Sequence, residues 1–240
     1  MQKKVSFKQI TLITDGQSNM GLSPVLAAKK ARDHNIIVNV IGITDEGALG
    51  LNGSEEIRGI ATAGGGLSQI VSIEHIAKTV QYVTQQSMNK TIQQVINRQL
   101  KQILGQGDIY QLPPEERIKV VEVMDHMSEH SHLDILLIVD MSASMRSKLK
   151  KIEEALFDFQ LSVRSRAGSN QIAIATYPSK ENHLEIKIPW TREYFKMDMM
   201  ISQFIPNGNT PTGPAIEEAI EYFSMINTRE KNGILDEYLI

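Results

Sequence analysis

The chain has 240 residues, 41% hydrophobic and 22% charged, a balance typical of soluble globular proteins, which at this size bury roughly 70–75% of their unfolded surface. With no cysteine there can be no disulfide, thiolate metal site or cysteine nucleophile, which fits a reducing, cytoplasmic setting. The net charge of −3 comes from interspersed acids and bases, leaving no basic footprint for a nucleic-acid backbone. The start, MQKKVSFK, runs straight into a strand pattern without an apolar leader. The densest apolar run, Ile135–Val139, is too short to span a bilayer, so no membrane association is expected.

Ile10–Thr14 (ITLIT) is a β-branched run ending at Asp15-Gly16, the pattern of a buried strand meeting a turn. Ser23-Pro24 supplies an N-cap and a first-turn proline for a helix carrying Val25, Ala28, Ala31 and Arg32 toward His34. Ile36–Ile43 is a second apolar strand. Glu55–Ala63 is a short helix closed by Gly64-Gly65-Gly66, and Leu67–Ser72 is a third strand. This β-α-β-α-β rhythm, with strands apolar on both faces, predicts a parallel sheet covered by helices.

Helical spacing then runs from Ile73 to Leu104 through Ile76, Val80, Val83, Met88 and Ile92, and Gly105 to Gly107 stop it. Pro113-Pro114-Glu115-Glu116 opens another helix, with Ile118, Val121, Met124 and Met127 on one face. This polar middle third reads as a connector. The βα rhythm resumes with Ile135–Val139 (ILLIV), a strand ending at Asp140. A helix over Ser147–Arg166 points Leu149, Ile152, Leu156, Phe159 and Val163 inward. Gln171–Tyr177 and Leu184–Ile188 are strands, the second alternating as an edge strand does, and Phe195–Phe204 and Pro214–Met225 are helices.

Asp140-Met141-Ser142-Ala143-Ser144 sits where a buried strand hands over to a helix, and ligands of open parallel sheets bind outside the carboxyl ends of strands. A carboxylate and two hydroxyls alternating along an extended turn suit a hard cation such as Mg2+, which prefers octahedral oxygen coordination at about 2.0–2.1 Å. The same residues also suit a serine-rich helix cap with Asp140 offsetting the helix dipole. The pattern alone leaves both open.

D-x-S-x-S after an apolar strand resembles the first motif of the metal-ion-dependent adhesion site of von Willebrand factor A domains. Gly208-Asn209-Thr210-Pro211-Thr212-Gly213 resembles the family's G-x-T loop, and Leu12-Ile13-Thr14-Asp15-Gly16 its strand-end T-D-G. The resemblance implies a Mg2+ (or Mn2+) site made by Asp140, Ser142, Ser144, Thr210 and Asp15. It places Thr212, Asn209, Gly16 and Gln17 around the ion or against a partner. The implied fold is a three-layer α/β/α domain with a six-stranded, mostly parallel, Rossmann-like sheet. Its strand order is Leu184–Ile188, Gln171–Tyr177, Ile135–Val139, Ile10–Thr14, Ile36–Ile43, Leu67–Ser72, the first strand antiparallel.

The motif order departs from the family's, since T-D-G comes first here instead of last. Cyclically the order is unchanged, as circular permutation produces, and permutation is tolerated because domain termini often lie close together. Residues 1–88 then form the back half of the domain, 89–132 a helical connector and 133–240 the front half. The competing arrangement is the back half of one domain followed by the front half of a second, with unpaired sheet edges and incomplete metal sites. One full complement of elements, starting at a methionine, favours the single domain.

By resemblance the function is metal-dependent recognition of an acidic side chain on a partner protein, with no catalysis and no small-molecule substrate. Bacterial intracellular relatives often work beside AAA-type ATPases or in stress and developmental assemblies, and the chain resembles small proteins of this kind from spore-forming bacteria. The rival is a Mg2+-dependent phosphohydrolase of the haloacid-dehalogenase type, which needs a second acid two residues after its aspartate. Here that position is Ser142.

Other signals are set aside. His126 and His130 at i and i+4, with His132, Asp125, Glu129 and Asp134 nearby, more often mark a solvated helix end than a zinc site. Gly64–Gly66 precedes a strand, so it lacks the context of a phosphate loop. Met197–Met200 reads as core filler, Trp190 as a packed anchor, and the glutamines from Gln81 to Gln94 as a solvated surface.

Overall fold

The computed structural model describes residues 6–16, 18–44, 51–104, 108–179, 182–193 and 210–237. The predicted helix Phe195–Phe204, the Met197–Met200 stretch and the candidates Gln17 and Asn209 lie outside them. In chain order the elements are β1 (Ser6–Thr14), α1 (Pro24–Asp33), β2 (Ile36–Thr44), α2 (Leu51–Ala63), β3 (Gly65–Ser72) and α3 (Ile76–Leu104). They continue with α4 (Pro114–His130), β4 (His132–Asp140), α5 (Leu149–Arg164), β5 (Asn170–Tyr177), β6 (Glu185–Thr191) and α6 (Thr212–Glu237).

The six strands form one sheet in the order β3-β2-β1-β4-β5-β6, parallel throughout except for β6, which runs antiparallel to β5. This is the predicted order and polarity. The central strands are mostly apolar on both faces because both faces are covered, and the buried Gln9 and Asn39 side chains are hydrogen-bonded to each other. Ile10 and Leu12 of β1 and Leu136 and Ile138 of β4 join one core cluster with α1, α2 and α6. Ile13, Ile135, Leu137 and Val139 join the other, with α3 and α5. Burying each such side chain stabilises the fold by about 1.5–3 kcal/mol before entropy is counted.

β1 and β4 lie 126 positions apart in sequence and pair in parallel from Ser6↔His132 to Ile13↔Val139. The first and last thirds of the chain therefore share the centre of one sheet.

Helix packing follows the predicted faces in part. In α5, Leu149, Ile152, Leu156, Phe159 and Val163 are all buried, as their spacing predicts. In α1, Pro24, Ala27, Ala28 and Ala31 are buried, whereas Val25 is 36% exposed. Three small alanines let the helix lie close to the sheet and to α6. Ser23 occupies the N-cap without making a side-chain cap bond, and Pro24 alone carries the start signal.

The connector also differs from the sequence reading. Its expected start after Met88 falls inside the continuous helix α3, and Ile92 beyond that boundary is 1% exposed in the core. Helix α4 has no buried residue. Met124 and Met127 rest against the core, but Ile118 and Val121 are 60% and 43% exposed. Helical spacing identified a face; at the α4 N-terminus nothing in the described chain covers it.

Candidate metal centre

Parallel pairing brings the carboxyl ends of β1, β4 and β5 to one edge of the sheet. Since Ile13 is level with Val139, Thr14 and Asp140 become neighbours. The Thr14 hydroxyl donates to Asp140 Oδ2 at 2.7 Å, and the Ser142 backbone N–H donates to Asp140 Oδ1 at 2.8 Å. The hydroxyls of Ser142 and Ser144 are 3.2 Å apart, and Ser144 donates to Asp15 Oδ1 at 2.8 Å. Asp140, Ser142, Ser144 and Asp15 thus form one contiguous set of oxygens, with the two aspartates on adjacent strand ends.

These contacts bear on the two readings of D-x-S-x-S. Ser142 precedes the 3-10 turn Ala143–Met145 but makes no side-chain cap bond, and α5 opens at Lys148 without one. The serine hydroxyls point to each other and to Asp15. They do not serve as helix caps.

Thr210 is held against the segment that follows Asp15. The Asn19 side-chain oxygen accepts the Thr210 N–H at 2.8 Å, while the Asn19 N–H and the Ser18 hydroxyl donate to the Thr210 carbonyl at 3.3 and 3.1 Å. Ser18 in turn donates its N–H to Glu56 at 2.8 Å, which ties this segment to α2. Gly213 lets α6 enter closely: a Cβ there would lie 1.9 Å from the Leu22 carbonyl oxygen. Gly21, at φ +84°, makes the turn on the other side of that contact. Thr212 lies behind the site, its hydroxyl donating to the buried Tyr177 OH at 3.4 Å. Gly16 stays in the turn, with its N–H on the Thr14 hydroxyl at 3.3 Å.

Several participants had no role in the sequence reading: Thr14 as a prop for Asp140, Ser18 and Asn19 as the clasp on Thr210, and Lys148. The Lys148 ammonium donates to Asp15 Oδ2 at 2.6 Å and to the Ser144 carbonyl at 3.4 Å. The Lys148 and Asp15 side chains are 5% and 4% exposed. Lys148 follows Ser144 by four residues and stands at the N-cap of α5, at the end of the turn that leads out of the D-x-S-x-S segment.

Asp140 is fully buried, although it stands at the carboxyl end of its strand. Burial pushes its carboxyl up to about 6, offset in part by the Thr14 and Ser142 hydrogen bonds and reinforced by the nearby Asp15 charge. Glu56 is raised by burial as well, and the Tyr177 phenol is raised by burial and then by the Asp140 charge. A buried carboxylate beside a second carboxylate and two hydroxyls is a hard-oxygen donor set that fits a divalent cation.

The raised Asp140 carboxyl has a thermodynamic consequence. A group whose folded pKa exceeds its unfolded value of 3.8 favours the fold fully below pH 3.8, and that contribution is lost as pH rises through about 6. In chelator at pH 7, Asp140→Asn is therefore expected to unfold about 2–3 kcal/mol harder than wild type. The gap is expected to close toward pH 4, and urea titrations at both pH values check it. A gap of constant size would show that ionisation of Asp140 is not the cause.

Residues 135–235 match the family model of the von Willebrand factor type A domain. Uncharacterized protein YabS of Bacillus subtilis (strain 168) is 43% identical to the chain over 222 residues, covering 92% of this chain and 91% of that protein. The chain belongs to the von Willebrand factor type A family. Its fold is shared with the crystal structure of an uncharacterized protein from Alicyclobacillus acidocaldarius subsp. acidocaldarius DSM 446. There the TM-score is 0.85 and the identity 36%, covering 93% of this chain and 96% of that one. Von Willebrand factor type A domains commonly serve as protein-interaction modules. No helix among the described residues is long and apolar enough to cross a membrane.

Proposed function

We propose that this von Willebrand factor type A chain is a non-enzymatic, cytoplasmic recognition module that binds an acidic side chain of a partner protein through a Mg2+- or Mn2+-type ion. Asp140, Ser142, Ser144, Thr210 and Asp15 would hold the ion, and it would supply a positive centre for the partner's carboxylate. Asn209, Gln17, Gly16 and Thr212 would flank it. The observation that carries this reading is the continuous contact from Asp140 through Ser142 and Ser144 to Asp15, across two strands that the sequence separates widely.

The domain is read as circularly permuted, with residues 133–240 as the family's front half and 1–88 as its back half. The β1–β4 pairing supports this. The phosphohydrolase alternative has no support at the position its chemistry requires, since the second residue after Asp140 is a serine that bonds Ser144.

Mn2+ is expected to raise the melting temperature of wild type modestly, as a ligand selective for the folded state must, and to bind at one site. Thr210→Ala and Asp140→Ala are expected to lose that response. Partner capture is expected to vanish in EDTA and return with Mg2+. Metal-indifferent melting of wild type and of its Lys148→Met variant would overturn the metal site. Capture that survives chelation would overturn the carboxylate mode of recognition.

A further inference from the structure

The ligand set of the candidate centre contains a cation of its own. Lys148 Nζ lies 2.6 Å from Asp15 Oδ2, and Ser144 Oγ occupies the other oxygen of the same carboxylate at 2.8 Å. The ammonium also touches the Ser144 carbonyl at 3.4 Å, and its side chain is 5% exposed. This is no surface ion pair across solvent: a buried charge needs close partners, and among those of Lys148 is one of the two carboxylates proposed to face the metal.

We propose that Lys148 is a built-in competitor of the divalent ion and sets the affinity of the site for it. The inference rests on the metal-centre reading above. Without an ion, the ammonium neutralises Asp15 and holds the Asp15–Ser144 side of the site together. A divalent ion arriving among the same oxygens meets a fixed positive charge within a few ångströms, where burial leaves little water to screen it. Uptake then requires Asp15 to be shared or Lys148 to swing away, and both weaken binding.

The charge balance also fits recognition of an anion. Asp15 and Asp140 offset a divalent ion, and Lys148 leaves one positive charge in excess for an arriving carboxylate. Ion and partner therefore bind cooperatively: the partner's negative charge relieves the repulsion that disfavours the ion alone. Removing the lysine uncouples the two. Lys148→Met keeps the unbranched stem and loses the charged end, Lys148→Gln keeps a donor for Asp15, and Lys148→Arg keeps the charge.

The test is Mn2+ binding to the full chain without any partner, followed by electron paramagnetic resonance of free Mn2+, with melting in EDTA as a folding control. Lys148→Met and Lys148→Gln are each expected to bind Mn2+ on the order of tenfold more tightly than wild type, within the usual range of coupling between two bound charges. Lys148→Arg is expected to stay within a few-fold of wild type. Melting in EDTA falls for Lys148→Met, which strands Asp15, and Mn2+ restores more of it than in wild type. A purely structural lysine would lower stability without tightening Mn2+ binding, and that result would overturn the proposal while leaving the metal centre intact. If neither wild type nor any Lys148 variant binds Mn2+, the metal centre itself falls and the competitor with it.

Discussion

Asp15→Ala is expected to cost about 3–5 kcal/mol of unfolding free energy in chelator, because it removes the carboxylate that lies 2.6 Å from the buried Lys148 ammonium. The structure gives Asp15 a side chain 4% exposed and a lysine partner 5% exposed, and the large cost follows from that burial. The double variant Asp15→Ala/Lys148→Met removes both charges and is expected to recover most of the loss. Urea unfolding of the four proteins forms a double-mutant cycle, which isolates the pair from the general effect of each truncation. A coupling near zero would mean that the two groups do not interact in solution as the structure places them.

Splitting the chain within the connector is expected to abolish folding altogether. Residues 1–104 would carry β1, β2 and β3, and residues 132–240 would carry β4, β5 and β6. Each half would expose the strand that belongs at the centre of the sheet. Ile10, Leu12 and Ile13 on one side, and Leu136, Ile138 and Leu137 on the other, are all 0% exposed in the intact protein. Open hydrogen-bonding edges of that apolar character do not persist alone in water. The first fragment is taken to residue 104 because α3 is continuous and Ile92 lies in the core. Neither half should show a cooperative melt by circular dichroism, and mixing them should restore one. A chain reordered with 133–240 first, followed by the block ending with α3, should fold and keep the Mn2+ response. Two separate melting transitions from the isolated halves would mean two domains, and the shared centre would then be wrong.

Much of the architecture was legible because it depends on short-range patterns. Apolar β-branched runs ending in Asp-Gly or Asp-Met-Ser mark strands and their carboxyl ends. The spacing of Leu149, Ile152, Leu156, Phe159 and Val163 marks a helix face, and all five are buried. The strand order came from the motif resemblance, and the sheet has that order. Composition and spacing were less informative about α1 and α4. Val25 and Ile118 satisfy a helical stripe, yet whether anything covers the stripe depends on neighbours that the spacing does not contain.

The sequence by itself determined which residues could supply oxygen ligands and at which strand ends they stand, because residue type and local periodicity are written in adjacent positions. The tertiary structure alone decided how those side chains are held. Thr14 meets Asp140 across 126 positions, and Lys148 meets Asp15 across 133. Neither pairing has a local signature, since each follows from the parallel register of β1 against β4 and from where α5 then begins. The same register buries Asp140 completely and raises its carboxyl to about 6. Burial is a property of what packs around a group, so the electrostatics of this centre became visible only once the sheet had closed over it.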